Sequence, residues 1–553
     1  MSIRIQRLAA AAAVGIGLSL SAGTALGQNK GPSTGSTPYA VPVAPNVRTY
    51  SIATVDNVSS ADDTFNKIGG GTYGMVGVPD GLGAFDNGDR TFTVLMNHEI
   101  GATSGVVRDH GTNGSFVSRW IINKDTLAVV GAKDLIQNLN LWNGTGYTTF
   151  NTSNPLASGA GIGRLCSADL APVTAFSNGA VGTPARLFLS GEETGAEGRV
   201  FAHIASGANA GSSYELPRLG KFSWENAVAS PFQQNKTVVI GTDDSTPGQV
   251  YVYVGNKTGT GTEVDKAGLT NGALYGIKIP SAPLEDTAAN AARNATPFGI
   301  GKGGSTAFSL QIKNTTGDVS GLTGAQIQAD SAANAITEFL RPEDGAWDTK
   351  NANRFYFVTT DRYDQVKDGT GSQIGRSRLW ALDFTDITNP TSGGQIKLLL
   401  DGSESLANGG LNMMDNIGVD KDGNVIIVED VGGNAHNGKI ARYNPTTGNV
   451  EILAKHDTAR FGDIGTGATA PFSNDEEFSG VIDVTDIMSD SLLRNGLSDE
   501  RWYLFDDQAH YGAGTTAQVE GGQLLIMAVP EPGTLCFVGG MIGMATLRRR
   551  RRR

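Results

Sequence analysis

Apolar residues run along the chain in short bursts rather than long helical stripes, and the bursts share one form. Each ends in acidic or amide residues: 91–96 before Asn97, His98 and Glu99; 187–189 before Glu192 and Glu193; 238–240 before Asp243 and Asp244; 355–358 before Asp361; 425–428 before Glu429 and Asp430; 502–505 before Asp506 and Asp507. β-Branched and aromatic residues dominate the bursts, which favours strands. In several cases a turn and a second apolar run follow at once, at 198–203, 248–253, 377–382 and 438–442. The repeating unit is therefore a hairpin with an acidic crest. Helical spacing is scarce, with short candidates at 331–340, 224–229 and 484–495.

Hairpins repeated at irregular intervals predict an all-β fold, a β-propeller of five to seven blades with long loop insertions and a few short helices. Radial blades leave few strand edges unpaired. The inner strands of such a ring deliver their ends to one mouth, so carboxylates far apart in sequence would converge there. The alternative is a β-sandwich, or two sheets, whose Asp and Glu merely begin turns.

Composition narrows the class. Glycine supplies 75 of 553 residues, about twice its usual ~7% share, and charged residues are only 18%. This turn-rich balance excludes a coiled coil, a helical bundle and a fully disordered chain. Arg4 and Arg7, a small and apolar run over 8–25 and the small-residue site ending at Gly27 read as a secretory signal peptide over 1–27, with a signal anchor as the other reading. Residues 28–45, rich in Gly, Ser, Thr and Pro, read as a flexible lead-in, and 46–528 as the propeller domain.

At the other end, Val529-Pro530-Glu531-Pro532 is followed by an apolar run over 533–547 and six arginines, Arg548 to Arg553. This order, over 529–553, resembles the PEP-CTERM sorting signal. The resemblance implies an exosortase as processing partner and only a transient membrane contact through the tail; an ordinary C-terminal anchor is the alternative. Both place the body outside the cytoplasm, in the cell envelope or extracellular matrix of a bacterium. Removing both ends takes eight basic residues and one acidic residue from 43 and 55, leaving a net charge near −19. Such a surface repels nucleic acid and favours multivalent cations. Cys536 lies in the tail, so the body holds the single thiol Cys166 and no internal disulfide.

Converging carboxylates, amides and carbonyls are hard oxygen ligands that suit Ca²⁺ better than zinc or copper. The six histidines contain no His-x-x-x-His pair. There is no serine elbow, no phosphate-binding loop with lysine and no dinucleotide fingerprint.

Several crests, in order, resemble the PhoX-type alkaline phosphatases: Asn97-His98-Glu99, Gly191-Glu192-Glu193, Asp243-Asp244, Arg341-Pro342-Glu343-Asp344, Asp415-Asn416 leading into 420–424, the run from Glu477 to Gly480, and Gln508 to His510. The resemblance implies a propeller whose mouth holds calcium and a pair of irons on carboxylates and one cysteine. It implies Arg341 and Glu343 as catalytic residues, Arg341 touching the phosphate and Glu343 ligating metal. Glu99, Glu192, Glu193, Asp243, Asp244 and Glu477 are the further metal candidates. The chain departs from the pattern at Gly191, where the family has a cysteine. A glycine cannot ligate Fe³⁺ through a side chain, so the departure counts against iron. Leu165 replaces an expected Asn, and Cys166 reads as a buried structural thiol.

These readings combine into an exported, monomeric, metal-dependent phosphoester hydrolase with a calcium-rich carboxylate site, acting on a small-molecule phosphoester through metal-activated water. The alternative is a non-catalytic calcium-binding protein of the envelope or biofilm matrix. A third reading is a propeller that hydrolyses carboxylic esters or lactones.

Overall fold

The structure, a computed structural model, describes residues 27–55, 63–281, 283–285, 297–360, 377–402, 410–433, 436–494 and 499–531. Alternation along the strands decides its architecture. Val94 and Met96 pack with Leu504 and Leu524, while Leu95 between them packs with Phe188 and Phe201. The split recurs at 238–240: Val238 and Ile240 join Phe355 and Trp380, and Val239 joins Leu187 and Trp224. Strands apolar on both faces must be covered on both. A closed ring of sheets does this for every such strand.

The ring has six blades. Blade 1 is Pro79–Asp86, Thr91–His98, Phe116–Asn123 and Val129–Asp134. Blade 2 is Leu165–Asp169, Leu187–Glu192, Val200–Ile204 and Ser212–Glu215, extended by Asn138–Trp142 and Tyr147–Phe150. Blade 3 is Trp224–Ala229, Lys236–Asp243, Val250–Asn256 and Ala273–Lys278, and blade 4 is Pro342–Trp347, Arg354–Thr359, Arg378–Phe384 and Gly394–Leu400. Ser305–Ile312 pairs with the outer strands of both and stitches them into one sheet. Blade 5 is Met414–Val419, Val425–Glu429, Lys439–Tyr443 and Val450–His456, and blade 6 is Glu477–Asp483, Glu500–Gly512 and Glu520–Pro530.

The innermost strand of each blade lies beside that of the next, and Glu477–Asp483 returns to Pro79–Asp86 to close the circle. Arg48–Val55 supplies the fourth strand of blade 6, pairing antiparallel with Glu520–Pro530, Tyr50 opposite Ile526. The ring is thereby latched by strands from both ends of the chain. The described acidic crests fall in or just after the second strands of their blades, one each, and six blades lie within the expected range.

Some expectations change. Residues 224–229 form the innermost strand of blade 3, not a helix: Trp224, Ala227 and Ala229 fill the core between blades 2 and 3, and that packing overrides the helix preference of Glu and Ala. The helix near 331–340 lies earlier, at Gly324–Ala333, closed by a capping box on Thr323. Residues 484–495 hold only turns and the 3₁₀ turn Leu492–Arg494 in their described part.

The lead-in is not free. Gln28–Lys30 runs parallel to Arg48–Val55, and Ala40–Pro42 pairs with Val450–His456. Backbone hydrogen bonds to blade edges hold this segment, so its lack of apolar side chains does not release it. The folded body also runs past 528: Val529 and Pro530 pair with Arg501 and Glu500, and the Glu531 N–H donates to Asp499 O at 2.8 Å. Residues 1–26, Asp361 and 532–553 lie outside the described residues. Among the described residues no helix is long and apolar enough to cross a membrane.

Candidate functional site

One irregularity recurs at the same place in every blade. Between Pro79 and Leu82, Leu165 and Ala168, Trp224 and Ala227, Pro342 and Gly345, Met414 and Ile417, and Phe478 and Val481, the innermost strand advances three residues while its neighbour advances two. A bulge of one extra residue breaks strict alternation and re-aims a side chain. Its first residue is Asp80, Cys166, Glu225, Glu343, Asp415 or Ser479. In the neighbouring second strands the residue one past the partner of the position before the bulge is Glu99, Glu193, Asp244, Thr360, Asp430 or Gln508; the first five leave the ladder of their blade there, whereas Gln508 still pairs with Glu477 in a strand that runs on to Gly512. Bulge and exit positions thus form two rings of side chains at the end of the axis where the innermost strands begin.

The rings meet. Asp80, Glu99 and Cys166 each offer a ligand atom within 4.8 Å of the others, as do Cys166, Glu193 and Glu225, and as do Glu225, Glu343 and Asp415. Cys166 and Glu225 each belong to two groups, so the three groups form one band running from blade 1 to blade 5. Cys166 Sγ lies 3.1 Å from Glu225 Oε2. Gln508 Nε2 bridges Glu99 Oε2 at 3.0 Å, Asp80 Oδ2 at 3.3 Å and Glu477 Oε1 at 3.4 Å.

Two arginines border the band. Arg341 donates a fork to Asp244 at 2.8 and 2.9 Å and lies 3.2 Å from Glu343 Oε1. Arg164 lies 2.5 Å from Glu99 Oε1 and also pairs with Glu193. These cations do not balance the carboxylates. Burial, then the neighbouring carboxylates, pushes Glu193, Glu225, Asp415 and Glu477 well above the ordinary carboxylate range. Burial also raises Glu343, against the pull of Arg341, and burial with Glu99 pushes Asp80 up to about 7. The Cys166 thiol is raised by burial, then by Asp80 and Glu225.

Buried like charges this close must be protonated or held by a cation. The donor chemistry fits metal: one group is oxygen-only, and the two that share Cys166 add a soft sulfur.

Of the residues read from the sequence, Glu99, Glu193 and Glu343 lie in the band, and Arg341, Asp244 and Glu477 border it. Glu192 and Asp243 do not join it. Both are the last paired residues of their strands, so their side chains point away from those of Glu193 and Asp244. Glu192 is held by Arg199 Nε at 2.6 Å and Nη2 at 2.7 Å, and Asp243 accepts from the Ser223 N–H at 3.2 Å. Cys166 is buried, as expected, but sits in the middle of the band. Gly191 faces the core between blades 2 and 3: a Cβ there would lie 2.2 Å from Trp224 Cβ. The glycine at 191 therefore does not remove a thiol from the mouth, and the departure that counted against iron loses its physical basis.

The sequence reading missed Asp80, Glu225, Asp415 and Asp430 as site residues. A signal was present in the repeated pattern of a Pro or bulky apolar residue, a potential ligand and a small, amide or acidic residue: Pro79-Asp80-Gly81, Leu165-Cys166-Ser167, Trp224-Glu225-Asn226, Pro342-Glu343-Asp344, Met414-Asp415-Asn416 and Phe478-Ser479-Gly480.

Residues 201–486 match the family model described as alkaline phosphatase PhoX. The chain belongs to the PhoX family. The fold agrees: Pseudomonas fluorescens PhoX, solved in complex with vanadate, a transition state analogue, superposes with a TM-score of 0.53 at 12% identity over 91% of this chain and 98% of that one. A putative 6-phosphogluconolactonase from Bacteroides uniformis matches with a TM-score of 0.29 at 11% identity, over 67% and 82% of the two chains. A Trypanosoma rangeli sialidase matches with a TM-score of 0.32 at 8% identity, over 92% and 62%. No curated protein sequence matches the chain. PhoX membership supports a metal-dependent, phosphatase-like hydrolase with a small-molecule phosphoester substrate.

Proposed function

We propose that the chain is an exported alkaline phosphatase-like phosphoester hydrolase whose chemistry takes place at the band around Cys166 and Glu225. The observation that carries this reading is the overlap of three groups of buried donors beside two guanidinium groups. Glu225, Glu343 and Asp415, an oxygen-only set, suit Ca²⁺. Asp80, Glu99, Cys166 and Glu193 suit Fe³⁺, with Cys166 shared between two groups. When bound, such ions supply the positive charge that polarises phosphoryl oxygens and activates water.

The chain's own residues do the rest. Arg341 is pre-oriented by its fork on Asp244 and by Glu343, and a guanidinium matches phosphate oxygens in the same bidentate way. Thr360 Oγ1 donates to Glu343 Oε1 at 2.8 Å and fixes that carboxylate. Gln508 holds Asp80, Glu99 and Glu477 toward one another. The signal peptide at the N-terminus and the PEP-CTERM-like tail with its exosortase would carry the body to the envelope.

The test is metal analysis of protein purified without chelator, followed by assays of an aryl phosphate and an aryl acetate at alkaline pH on the same sample. Chelator-sensitive turnover of the phosphate alone is the expected result. Calcium without turnover would favour the non-catalytic matrix protein, and turnover of the acetate alone the esterase.

A further inference from the structure

The second residue of each bulge lies beneath the mouth. Gly81, Ser167, Asn226, Asp344, Asn416 and Gly480 line a cavity of about 360 Å³ at the other end of the axis. Two of these side chains reach back toward the band. Ser167 Oγ donates to Glu225 Oε1 at 2.5 Å and accepts from Asn416 Nδ2. The same amide nitrogen lies 3.5 Å from Asp80 Oδ1, and Asn416 Oδ1 lies 3.5 Å from Ser479 Oγ. Ser167, Glu225 and Asn416 are all buried.

The polarity of this network is one-way. The Asn416 amide nitrogen donates to the Ser167 hydroxyl, whose own proton is then free for Glu225. Ser167 belongs to blade 2 and Asn416 to blade 5, which stand opposite each other in a six-membered ring. Their hydrogen bond therefore crosses the axis and forms the floor of the mouth. The Ser167 hydroxyl, held by that bond, ties up Oε1 of Glu225 and leaves Oε2 toward Cys166 Sγ.

We propose that Ser167 and Asn416 are positioning residues that select which oxygen of Glu225 faces the metal. Hydrogen bonds behind a ligand fix its orientation and its affinity for the ion. The inference rests on the metal-site reading above.

Calcium titration of the chelator-treated protein by calorimetry tests it, with thermal unfolding of the same metal-free samples. Ser167→Ala is expected to weaken Ca²⁺ binding by about 10–100-fold, as loss of such a partner typically does, with little change in the metal-free melting temperature. Ser167→Thr, which keeps the hydroxyl, is expected to restore it. Asn416→Asp removes both donors while keeping the shape, and should weaken binding at least as much; it serves if the alanine variant does not fold. A folded Ser167→Ala or Asn416→Asp protein with the wild-type isotherm would overturn the proposal. So would a lower melting temperature with unchanged affinity, which is what a bond that merely braces opposite blades predicts. If the wild type binds Ca²⁺ but hydrolyses no aryl phosphate, the phosphatase reading falls and the positioning role is still decided by the isotherms. If the wild type takes up no Ca²⁺, the positioning role falls.

Discussion

Arg164 and Arg341 occupy the same position two blades apart. Each immediately precedes an innermost strand, each has a left-handed backbone, with φ of +40° and +53°, and each pairs with the exit-ring carboxylate of its own or the preceding blade, Glu193 or Asp244. Val78 and Met413, with φ of +51° and +55°, hold the equivalent position in blades 1 and 5. A left-handed non-glycine residue costs on the order of 1–3 kcal/mol. Four blades therefore accept strain to turn the chain into the bulge, and two of them place a guanidinium at that turn.

Replacing Arg341 separates its two properties. Arg341→Ala and Arg341→Gly both remove the guanidinium, and each is expected to lower kcat/KM for an aryl phosphate by about 10²–10³-fold, the scale for losing one charge-stabilising donor. The glycine variant should be more stable than the alanine variant by roughly 1 kcal/mol, because only glycine adopts the left-handed turn without strain. Denaturant unfolding of the pair checks this, and equal stabilities would remove strain from the account.

Cys166→Ser should leave the fold intact, since the two side chains are close in size, and should alter metal content selectively. The groups that share Cys166 lose their soft ligand, whereas Glu225, Glu343 and Asp415 remain. Elemental analysis is expected to show calcium retained and iron reduced. Unchanged iron would mean that the thiol is not a ligand.

Gly191→Cys tests whether a thiol after Ser190 belongs to the mouth. Its Cβ would fall 2.2 Å from Trp224 Cβ, inside the core between blades 2 and 3. Overpacking of this kind typically costs about 1–3 kcal/mol. A lower melting temperature and no gain in bound metal are expected; a gain in iron would contradict the orientation of this strand.

Metal-free protein should lose stability as pH rises. Asp80 and Asp169 are both pushed from an ordinary 3.8 to about 7, chiefly by burial. A carboxyl raised in this way contributes nothing unfavourable below pH 4. Above that, the unfolded chain releases its proton first, so stability is lost between about pH 4 and 7 and not recovered beyond. Ca²⁺ affinity should move the opposite way, rising with pH because Glu225, Glu343 and Asp415, all raised by burial, must be deprotonated to bind. Melting curves with and without chelator across pH 4–9 should diverge, with the gap widest on the alkaline side.

The second strands were readable because their signal is local. In blade 1, residues 91–96 followed by Glu99 announce a buried strand and a polar exit within a few positions, and Glu99, Glu193 and Asp244 follow from it directly. Glu192 and Asp243 were drawn in by adjacency, yet one residue of offset reverses a side chain on an extended strand. The innermost strands were harder to see. Trp224-Glu225-Asn226-Ala227 suits a helix by composition, and nothing local shows that a bulge will aim Glu225 along the axis.

The sequence by itself determined the all-β class, the recurring hairpin with its acidic crest and the acidic excess that makes a cation site plausible, because hydrophobic alternation and crest residues act within a single hairpin. Tertiary structure decided which carboxylates meet. Cys166 and Glu225 become neighbours only when blades 2 and 3 pack, and Ser167 and Asn416 only when the ring closes across its axis. The bulge in each blade then picks one residue out of the alternating pattern. That choice depends on register between strands, which is set by packing against both neighbouring blades rather than by any segment alone.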